Sequence, residues 1–496
     1  MRDPLALRVR ATPDKRALVD AETGREWTFA QLDGEVETLA ARLAGDGVAA
    51  GDRVALLSET RPAFVHTVFA VSRLGAVLVP LNARLEPPEL RAQLDAVDAD
   101  RLLCTADTAE DALAAANGKE DIPVRSLDDD GPDPLRTTGE FEAAEWAHSD
   151  LAALLFTSGT TGDPKAVRLT AGNFLASAAA SAARLGVLPG DRWCCPLSMY
   201  HTGGLSIALR SVYYGTTAVI ERTPGFDAAA TLATLREYDC TGVSLVPTML
   251  SRLLDAGSLP DSFRFVLVGG APASAELMNK CERRGVPVCP TYGMTEAASQ
   301  IATARPETAF AHEGTVGTPL LGTELTVVDE DGNPLPAGET GELVVSGPTV
   351  TPGYEDDTAT AAAFGPHGLH TGDVGYRDGS GRLWVLNRRS DRIVTGGENV
   401  HPGEVTDVLR EHPNIVDAAV LGIPDPEWGE RVGALVVPED GAAVSPADVW
   451  AFCEGRLAGF KRPRTVAVVD SLPRTASDTV DRDAAREVLA ENGADR

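Results

Sequence analysis

The stretch TSGTTGDPKAV, from Thr157 to Val167, gives the clearest chemical signal in this sequence. It follows an apolar, strand-like run at Leu151 to Phe156 and leads into a helical pattern that begins near Ala171. Glycine and hydroxyl residues let the backbone turn several N–H groups toward one concave face, and such a nest binds anions. The stretch therefore predicts an anion-binding loop between a strand and a helix.

The side chains of this loop fit a phosphate. Lys165 adds a mobile cationic charge, which suits phosphate binding. A Walker A loop is excluded, because no glycine stands five residues ahead of a Lys-Ser/Thr pair. A flexible Gly/Thr turn is the alternative. The loop residues are Thr157, Ser158, Gly159, Thr160, Thr161 and Gly162.

Composition limits the classes of protein to which the chain can belong. Its 496 residues are too many for one core, so two to four domains are expected. The formal net charge of −29 argues against general binding of nucleic acid. Such an acidic surface stays hydrated in concentrated salt, so we hypothesise a salt-adapted (halophilic) host. Stability that survives desalting would count against this hypothesis.

Cysteine and histidine patterns predict an intracellular protein without a clustered metal site. The seven cysteines form no CxxC pair and sit mostly in apolar runs, which is typical of buried thiols in a reducing compartment. The eight histidines lack metal-ligand spacing. The N-terminal residues show no signal peptide, and no apolar run approaches the roughly 18 residues needed to span a bilayer. We expect a cytoplasmic protein without stable membrane insertion, and a homodimer is compatible with the sequence.

Helix and strand patterns alternate from residue 27 to 106 and again after the opening loop. Thr28 and Gln31 form a capping box ahead of a helix that runs to about Ala44. Uninterrupted apolar strands between amphipathic helices predict a parallel, doubly wound α/β sheet. The predicted elements are strands at Val54–Leu57, Ala76–Leu81, Leu102–Ala106, Val243–Pro247, Phe265–Val268 and Val286–Pro290 and helices at Pro62–Leu74, Pro87–Ala96 and Ala273–Arg284.

Two regions depart from this alternation. Between Gly314 and Gly353 the apolar period changes to 2, which predicts antiparallel hairpins, part of a small β-barrel. From Asp391 onward a smaller α+β unit of about a hundred residues is expected. Residues 117–149, with the run Asp128–Asp130, are interpreted as a solvated acidic surface loop.

Further candidate residues stand after predicted strands, at the sheet edge where ligands bind in such folds. Tyr292 could stack on a base, and Thr295 and Glu296 offer oxygen ligands for Mg²⁺. Asp373, in a predicted turn, could hold a ribose diol, although an Asx turn explains it equally well. His201 sits beside glycines, where a structural role is the alternative. The GGAP loop, with Gly270, Ala271 and Pro272, would let a planar group approach the backbone, and a plain tight turn is the alternative.

These motifs, in this order and spacing, resemble the adenylate-forming superfamily of acyl- and aryl-CoA synthetases, adenylation domains and luciferases. They cover nearly the whole chain: TSGTTGDPK, GGAP, YGMTE, GELVVSGP, HTGD and RRSDRIVTGGENVHPGEV. Within the superfamily, CCPLSMYHTGGLSI, YGMTEAASQI and the RRSD junction are most similar to the ligases that act on 2-succinylbenzoate in menaquinone synthesis.

The resemblance implies the architecture and the reaction. An N-terminal domain (1–387) of doubly wound sheets plus a small β-barrel would precede a hinge (388–391) and a mobile lid (392–496). A carboxylate would attack the α-phosphate of ATP, and CoA would then displace AMP from the acyl-adenylate. Magnesium would assist as the metal ion.

The resemblance also implies a role for each matching residue. It places the β- and γ-phosphates at the opening loop with Lys165, Mg²⁺ at Glu296 beside Thr295, the adenine at Gly270–Pro272, Tyr292 and Gly293, the ribose at Asp373 and Arg388, the acyl-pocket gate at His201, the hinge at Ser390 and the pantetheine channel at Gly396 and Gly397. The basic residues Lys461, Arg462, Arg464 and Arg474 could hold CoA phosphates, with solvated surface positions as the alternative.

Two positions depart from the superfamily pattern. Ala166 stands where relatives usually carry glycine, and Thr479 stands where the last motif usually carries lysine. Threonine supplies no cation, so we expect an altered but working adenylation step, which pyrophosphate exchange would measure. Two alternatives stay open: a CoA ligase for another aromatic or medium-chain acid, and a nucleotide- or acyl-adenylate-binding protein without catalysis.

Overall fold

The structure is a computed structural model that describes residues 3–117, 122–158, 164–222, 225–271, 273, 275–388, 393–400, 402–439, 441–473 and 480–496. Its helices are α1 (Pro4–Ala11), α2 (Phe29–Gly45), α3 (Pro62–Leu74), α4 (Pro87–Ala96), α5 (Ala109–Ala116), α6 (Ala171–Leu185), α7 (Thr202–Tyr214), α8 (Ala228–Glu237), α9 (Pro247–Ala256), α10 (Ala275–Arg283), α11 (Pro306–Ala311), α12 (Asp357–Ala363), α13 (Pro402–Arg410), α14 (Pro446–Cys453) and α15 (Arg482–Asn492). Short 3₁₀ helices occupy Ala106–Thr108 and Thr295–Ala297.

The strands of the first half are β1 (Arg16–Asp20), β2 (Glu26–Thr28), β3 (Arg53–Leu57), β4 (Val77–Leu81), β5 (Arg101–Cys104), β6 (Val124–Ser126), β7 (Leu151–Ser158), β8 (Pro164–Thr170), β9 (Arg192–Cys195), β10 (Thr217–Ile220), β11 (Gly242–Leu245), β12 (Phe265–Val268) and β13 (Val288–Met294). The remaining strands are β14 (Ser299–Thr303), β15 (Thr318–Pro319), β16 (Glu324–Val328), β17 (Gly341–Ser346), β18 (Phe364–Gly365), β19 (Gly368–Arg377), β20 (Leu383–Arg388), β21 (Ile393–Thr395), β22 (Glu398–Val400), β23 (Ile415–Asp425), β24 (Gly429–Pro438), β25 (Thr465–Val468) and β26 (Ala494–Asp495).

Two largely parallel sheets confirm the predicted doubly wound α/β fold. One has the order β15-β14-β13-β12-β11-β9-β10-β1-β2, and the other has the order β6-β5-β3-β4-β7-β8. Residues from both sheets, such as Trp193 and Leu78, belong to one buried apolar cluster, in which Phe29, Phe64 and Phe69 of the intervening helices also take part. Because β9, β11, β12 and β13 are paired in parallel, the carboxyl ends of β9, β12 and β13 lie at one edge of the sheet.

Local sequence signals account for several element boundaries. Thr28 and Gln31 form the predicted capping box at the start of α2. Helix α3 spans the predicted Pro62–Leu74. The predicted strand Val243–Pro247 is too long, because β11 ends at Leu245 and Pro247 is the first residue of α9. Proline suits a first helical turn, where its missing N–H is not needed.

The antiparallel region after Gly314 forms a five-stranded sheet in the order β16-β17-β19-β18, with β20 paired to β19. It has its own apolar cluster, which includes Leu343, Val345 and Leu369. The hairpin prediction for this region is confirmed by the antiparallel register of β16 and β17. Closure into a barrel stays a prediction.

Within the acidic segment at 117–149, Asp129 and Asp130 are exposed as predicted, but Asp128 is held by hydrogen bonds. Asp128 accepts two hydrogen bonds from the Arg61 guanidinium, each 2.9 Å long, and a third from the Ala106 backbone N–H. The sequence did not show this partner, because Arg61 stands 67 residues earlier. At least this carboxylate is a structural one.

The chain separates into two compact units. The first comprises Met1–Ala83, Gln93–Phe156 and Ala166–Asn387, and the second comprises Arg84–Ala92, Thr157–Lys165 and Arg388–Arg496. The second unit contains a six-stranded sheet in the order β22-β21-β24-β25-β26, with β23 paired to β24. A large N-terminal and a smaller C-terminal part agree with the prediction, while the exact hinge at 388–391 stays a prediction.

The cysteine thiols lie in the protein interior, which changes their pKa values. All seven are reduced and buried. Burial raises the pKa of the Cys104, Cys281 and Cys453 thiols to about 11 and that of Cys195 and Cys289 to about 12. None of the described helices has the length and apolar content that crossing a membrane requires.

Candidate active site

Tyr292 and Asp373 meet in the first unit and form the core of the candidate nucleotide site. The Tyr292 hydroxyl donates a 2.6 Å hydrogen bond to Asp373 Oδ2, and both side chains are buried. Tyr292 lies inside β13 rather than after a strand, because β13 continues beyond its parallel neighbour β12 into a hairpin with β14. The two predicted nucleotide residues are thus neighbours, although 81 residues separate them.

Asp373 lies within β19 and not in the predicted turn. The pairing of β19 with β17 shifts register between Glu342 and Val344, which is typical of a β-bulge. The Glu342 carboxylate accepts from the Gly372 backbone N–H at 3.3 Å and lies 3.1 Å from His370 Nδ1. The bulge directs the aspartate toward Tyr292, and Glu342 holds the bulge.

Gly293 is required by the hairpin that follows Tyr292. A Cβ at this position would stand 1.7 Å from the Ser299 carbonyl oxygen, so no side chain fits. The hairpin then passes through a 3₁₀ turn at Thr295–Ala297 and two residues with positive φ, Ala298 at 50° and Ser299 at 112°. Strain of this kind is found at functional sites, where surrounding contacts hold it in place.

Glu296 is the candidate magnesium ligand. It is 7% exposed, and the Tyr354 hydroxyl donates to its Oε1 at 3.0 Å. Burial and this carboxylate raise the pKa of Tyr354 well above its usual range, so the tyrosine stays a donor. Across the described ranges, no three His, Cys, Asp or Glu side chains are grouped so that they could hold a metal alone. A single carboxylate still fits Mg²⁺, which protein sites commonly bind through one or two carboxylates, substrate phosphates and water.

His201 is the residue that precedes α7, at the end of the loop that follows β9. Its ring packs edge-on against Tyr200, with 4.8 Å between the ring centroids. Gly270 and Ala271 follow β12 after one intervening residue, at the same sheet edge. The loops after β9, β12 and β13 therefore leave the sheet at the same edge.

The opening loop is described only in part. Thr157 and the backbone of Ser158 end β7, and Lys165 is the second residue of β8. Of Arg388 the structure describes the backbone alone, at the end of β20. Several predicted site residues lie outside the described residues: Gly159, Thr160, Thr161, Gly162, Pro272, Ser390, Arg474 and Thr479.

Gly396 and Gly397 form a tight turn in the second unit. The turn joins β21 and β22, with φ values of 57° and 84°, which only glycine adopts readily in succession. A Cβ at Gly396 would stand 2.6 Å from the Trp428 ring. The Arg464 guanidinium carbon lies 4.7 Å from the centroid of that ring. A cation thus stands beside the predicted pantetheine turn.

Lys461 has a structural role in the same unit. Its Nζ lies 2.7 Å from Glu89 Oε1 and 2.6 Å from Glu404 Oε1, and the residue is 9% exposed. Burial alone would lower the pKa of Lys461, but the two carboxylates outweigh it and raise the pKa. Arg462 pairs with Glu86 at 2.7 Å. The Lys461 ammonium is committed to these carboxylates here, which argues against a contact with a CoA phosphate. That role stays a prediction.

Arg210 is a candidate that sequence reasoning missed. It lies on α7 and is 2% exposed. Its Nη2 donates to Ser177 Oγ at 2.9 Å, while its buried Nε has no hydrogen-bond partner among the described residues. Burial lowers the pKa of Arg210, but arginine keeps its charge in proteins. The available signal was a charged residue within the apolar run LSIALRSVYY.

Comparison with protein families decides the class of this site. A model of the AMP-binding enzymes matches residues 5–355, and a model of the AMP-binding enzyme C-terminal domain matches residues 404–478. The chain belongs to the AMP-binding enzyme family. The predicted superfamily resemblance is confirmed.

Individual relatives of this AMP-binding enzyme narrow the comparison. A 2-succinylbenzoate–CoA ligase from Bacillus licheniformis is 38% identical over 96% of this chain and 98% of its own. An o-succinylbenzoate CoA synthetase double mutant from Bacillus subtilis, bound with its product analogue OSB-NCoA, is 35% identical, with a TM-score of 0.92 over 100% of this chain and 99% of its own. The Bacillus subtilis enzyme in complex with ATP and a magnesium ion has a TM-score of 0.74, at 35% identity, over 97% of this chain and 99% of its own.

Proposed function

We propose that this AMP-binding enzyme joins 2-succinylbenzoate to CoA through an acyl-adenylate, in menaquinone biosynthesis. The Tyr292–Asp373 pair and the buried Glu296, which follows Tyr292 in the same hairpin, support the proposal on the structural side. The nearly full-length similarity to 2-succinylbenzoate–CoA ligases supports the substrate. ATP and CoA are co-substrates, and Mg²⁺ is the metal ion.

The proposed reaction has two steps, adenylation of the acid and formation of the thioester. A carboxylate oxygen of the acid attacks the α-phosphorus of ATP, and the bond to the pyrophosphate oxygen breaks. The CoA thiolate then attacks the acyl carbon, and AMP leaves as its phosphate takes the bonding electrons. Both steps depend on position and on compensation of negative charge more than on proton transfer.

The described residues fit the first step. Asp373 is a hydrogen-bond acceptor for ribose hydroxyls, and the Tyr292 hydroxyl fixes the orientation of its carboxylate. Glu296 would hold Mg²⁺, which supplies charge compensation on the phosphates. Lys165 would contribute a cation at the β- and γ-phosphates. Gly270 and Ala271 would line the adenine, and His201 would close the acyl side.

Arg210 supports a dicarboxylic acid in particular. One carboxylate of 2-succinylbenzoate reacts, and the other stays charged throughout. Burying a charge is costly unless it is paired. The described contacts of Arg210 include no carboxylate, so the second carboxylate of the substrate would supply the missing partner.

Residues of the second unit would serve the CoA step. The Gly396–Gly397 turn would line the pantetheine channel, and Arg464, stacked on Trp428 beside that turn, would contact a CoA phosphate. The position of Lys461 between Glu89 and Glu404 makes Arg464 the better phosphate ligand. Arg474 remains a second candidate, and Ser390 the candidate hinge.

Thr479 allows a direct test of the adenylation step. Changing Thr479→Lys restores the cation that the superfamily places there, so we expect pyrophosphate exchange to speed up by about tenfold or more, the size of a lost charge contact of ~1.4 kcal/mol. Thioester formation from supplied acyl-adenylate should not change. Equal exchange rates in the variant and the parent would show that another cation already serves this step.

Acid specificity tests the proposal as a whole. The full chain is assayed for CoA-dependent AMP formation with 2-succinylbenzoate, benzoate, a medium-chain fatty acid and no acid. The highest kcat/KM is expected for 2-succinylbenzoate. A higher value for another acid would indicate a different CoA ligase, and binding of ATP without AMP formation would indicate a non-catalytic protein.

Finer features of the biology belong to the same proposal. We infer a cytoplasmic, salt-adapted enzyme, on the grounds of the acidic composition and the seven buried, reduced thiols. A homodimer is tested by light scattering of the full chain.

A further inference from the structure

A buried chain of hydrogen bonds links Arg210 to the turn that follows Glu296. Arg210 Nη2 donates to Ser177 Oγ at 2.9 Å, and the Ser177 hydroxyl donates to the Ala298 carbonyl oxygen at 2.7 Å. All three residues are buried and belong to different elements: α7, α6 and the turn before β14. Side-chain hydrogen bonds in such surroundings are costly to leave unmade.

The accepting turn is the strained one. Ala298 has a φ of 50° and Ser299 a φ of 112°, and neither is glycine. The Ala298 N–H closes the 3₁₀ turn by donating to the Thr295 carbonyl at 2.9 Å, so Glu296 lies inside the loop that this residue completes. A strained backbone persists only where neighbours hold it, and Ser177 is such a neighbour.

The donating end of the chain is a buried guanidinium that the substrate would engage. Among the described residues, Arg210 donates a side-chain hydrogen bond to Ser177, and its Nε–H has no hydrogen-bond partner. A carboxylate bound there would fix the orientation of the guanidinium, and with it the hydrogen bond to Ser177. The Ala298 turn, and hence Glu296, would then be held more firmly.

We propose that Ser177 is a positioning residue that couples binding of the acid to binding of Mg-ATP. The inference rests on the proposed function, because it needs a substrate carboxylate at Arg210. Each ligand should increase the binding affinity of the other by the same factor, since coupling between sites is reciprocal. The coupling should require both the Ser177 hydroxyl and the second carboxylate of the acid.

The coupling is measured by calorimetric titration of the full chain. Mg²⁺ with α,β-methylene-ATP, whose α–β bridge is not cleaved and which therefore cannot adenylate the acid, is titrated with and without saturating 2-succinylbenzoate. We expect the Kd of the parent protein for the nucleotide to be lower by about fivefold or more when the acid is present. In Ser177→Ala the ratio should fall to about 1, and Ser177→Thr, which keeps the hydroxyl, should restore part of it.

Ser211→Ala is the matched control. Ser211 lies on the same helix as Arg210, and its buried hydroxyl has no partner among the described residues. Removing it should leave the coupling ratio at the parental value. Equal ratios in the parent, Ser177→Ala and Ser211→Ala would overturn the coupling role.

A substrate arm needs no variant that might fold poorly. The monoacids 4-oxo-4-phenylbutanoate and 2-butanoylbenzoate each lack one carboxylate of 2-succinylbenzoate. The monoacid that is still adenylated keeps the reacting carboxyl and lacks the one assigned to Arg210, so it should not tighten nucleotide binding in the parent protein. Full coupling with that monoacid would refute the inference while leaving the ligase function intact. Absence of AMP formation from 2-succinylbenzoate itself would instead refute the proposed function.

Discussion

Tyr292 shows how one side chain can serve two purposes at the residue scale. Its ring stands at the carboxyl edge of the sheet, where a base could stack. Its hydroxyl donates a 2.6 Å hydrogen bond to Asp373 Oδ2 and so orients that carboxylate. The sequence suggested the stacking role from position alone. The hydrogen bond required the fold, since a β-bulge in β19 sets the direction of Asp373.

Removing that hydroxyl should weaken nucleotide binding selectively. In Tyr292→Phe the ring remains and Asp373 loses a donor, so we expect the KM for ATP to rise about fivefold, or ~1 kcal/mol, with a smaller change in kcat. Steady-state kinetics at saturating CoA measures the effect. Tyr376→Phe is the control, because the Tyr376 ring stacks on Trp384 and, three residues after Asp373 on β19, lies on the opposite face of the strand. An unchanged KM in Tyr292→Phe would contradict the orienting role.

Glu221 makes a second residue-scale prediction, on pH. Burial raises the pKa of Glu221 to about 7, despite a hydrogen bond from Thr231 that opposes the shift. The carboxyl is therefore protonated in the folded protein at pH values where the unfolded chain has released its proton. Its stabilising contribution is present below about pH 4.5 and is lost as the pH rises through about 7.

Glu221→Gln should remove this dependence. The variant should be more stable than the parent by roughly 3 kcal/mol at pH 8, and this difference should shrink as the pH falls toward 5. Calorimetric unfolding midpoints of both proteins across this range provide the measurement. A difference independent of pH would show that Glu221 titrates normally.

At the scale of elements, the most informative group is the ion-pair cluster of Lys461, Glu89 and Glu404. Glu89 belongs to α4 and Glu404 to α13, so one lysine joins two helices that are far apart in the sequence. Glu89 also accepts the Ala458 backbone N–H at 3.0 Å. Removing one member of a buried ion cluster leaves the others uncompensated.

Lys461→Ala should therefore destabilise the second unit by about 3–5 kcal/mol, measured by calorimetry of the full chain. Lys280→Ala removes a lysine from an exposed pair with Asp255, and its cost should stay below about 1 kcal/mol. A raised KM for CoA in Lys461→Ala with an unchanged unfolding midpoint would favour the phosphate-binding role instead.

Sequence patterns predicted elements well where local signals determine them. Helix α3 and strand β12 match their predicted bounds, because proline, glycine and apolar runs mark their ends. The predictions failed where partners are distant in sequence. Residues 84–92 belong to the second unit through ion pairs with residues more than 300 positions later, which no local pattern encodes. Arg210 was missed for a similar reason, since only the fold shows that its guanidinium is buried and that its Nε has no hydrogen-bond partner among the described residues.

At the scale of the whole molecule, the net charge of −29 sets the response to salt. Like charges at this density repel one another in the compact state, and dissolved ions screen that repulsion. The same composition leaves few lysines, and one of them, Lys461, is held between two carboxylates of the second unit.

Raising KCl from about 0.1 M to about 1 M shortens the screening length from ~10 Å to ~3 Å. We therefore expect the unfolding midpoint to rise by several degrees over this range, measured by scanning calorimetry. Sucrose is the control, because it strengthens burial without screening charge. A midpoint that does not change with KCl would argue against salt adaptation.

The burial of the cysteines also limits a side reaction, the acylation of protein thiols by the reaction intermediates. Acyl-adenylates and thioesters are both electrophiles that thiolates attack, and the proposed reaction generates one after the other. A thiol with a pKa of about 11 or 12 carries almost no thiolate at neutral pH, and burial keeps it from the intermediates. In the proposed reaction the CoA thiol would therefore compete with no reactive cysteine of this chain for the acyl group. The same inertness means that a cysteine introduced on the surface could be labelled selectively, without first removing the native thiols.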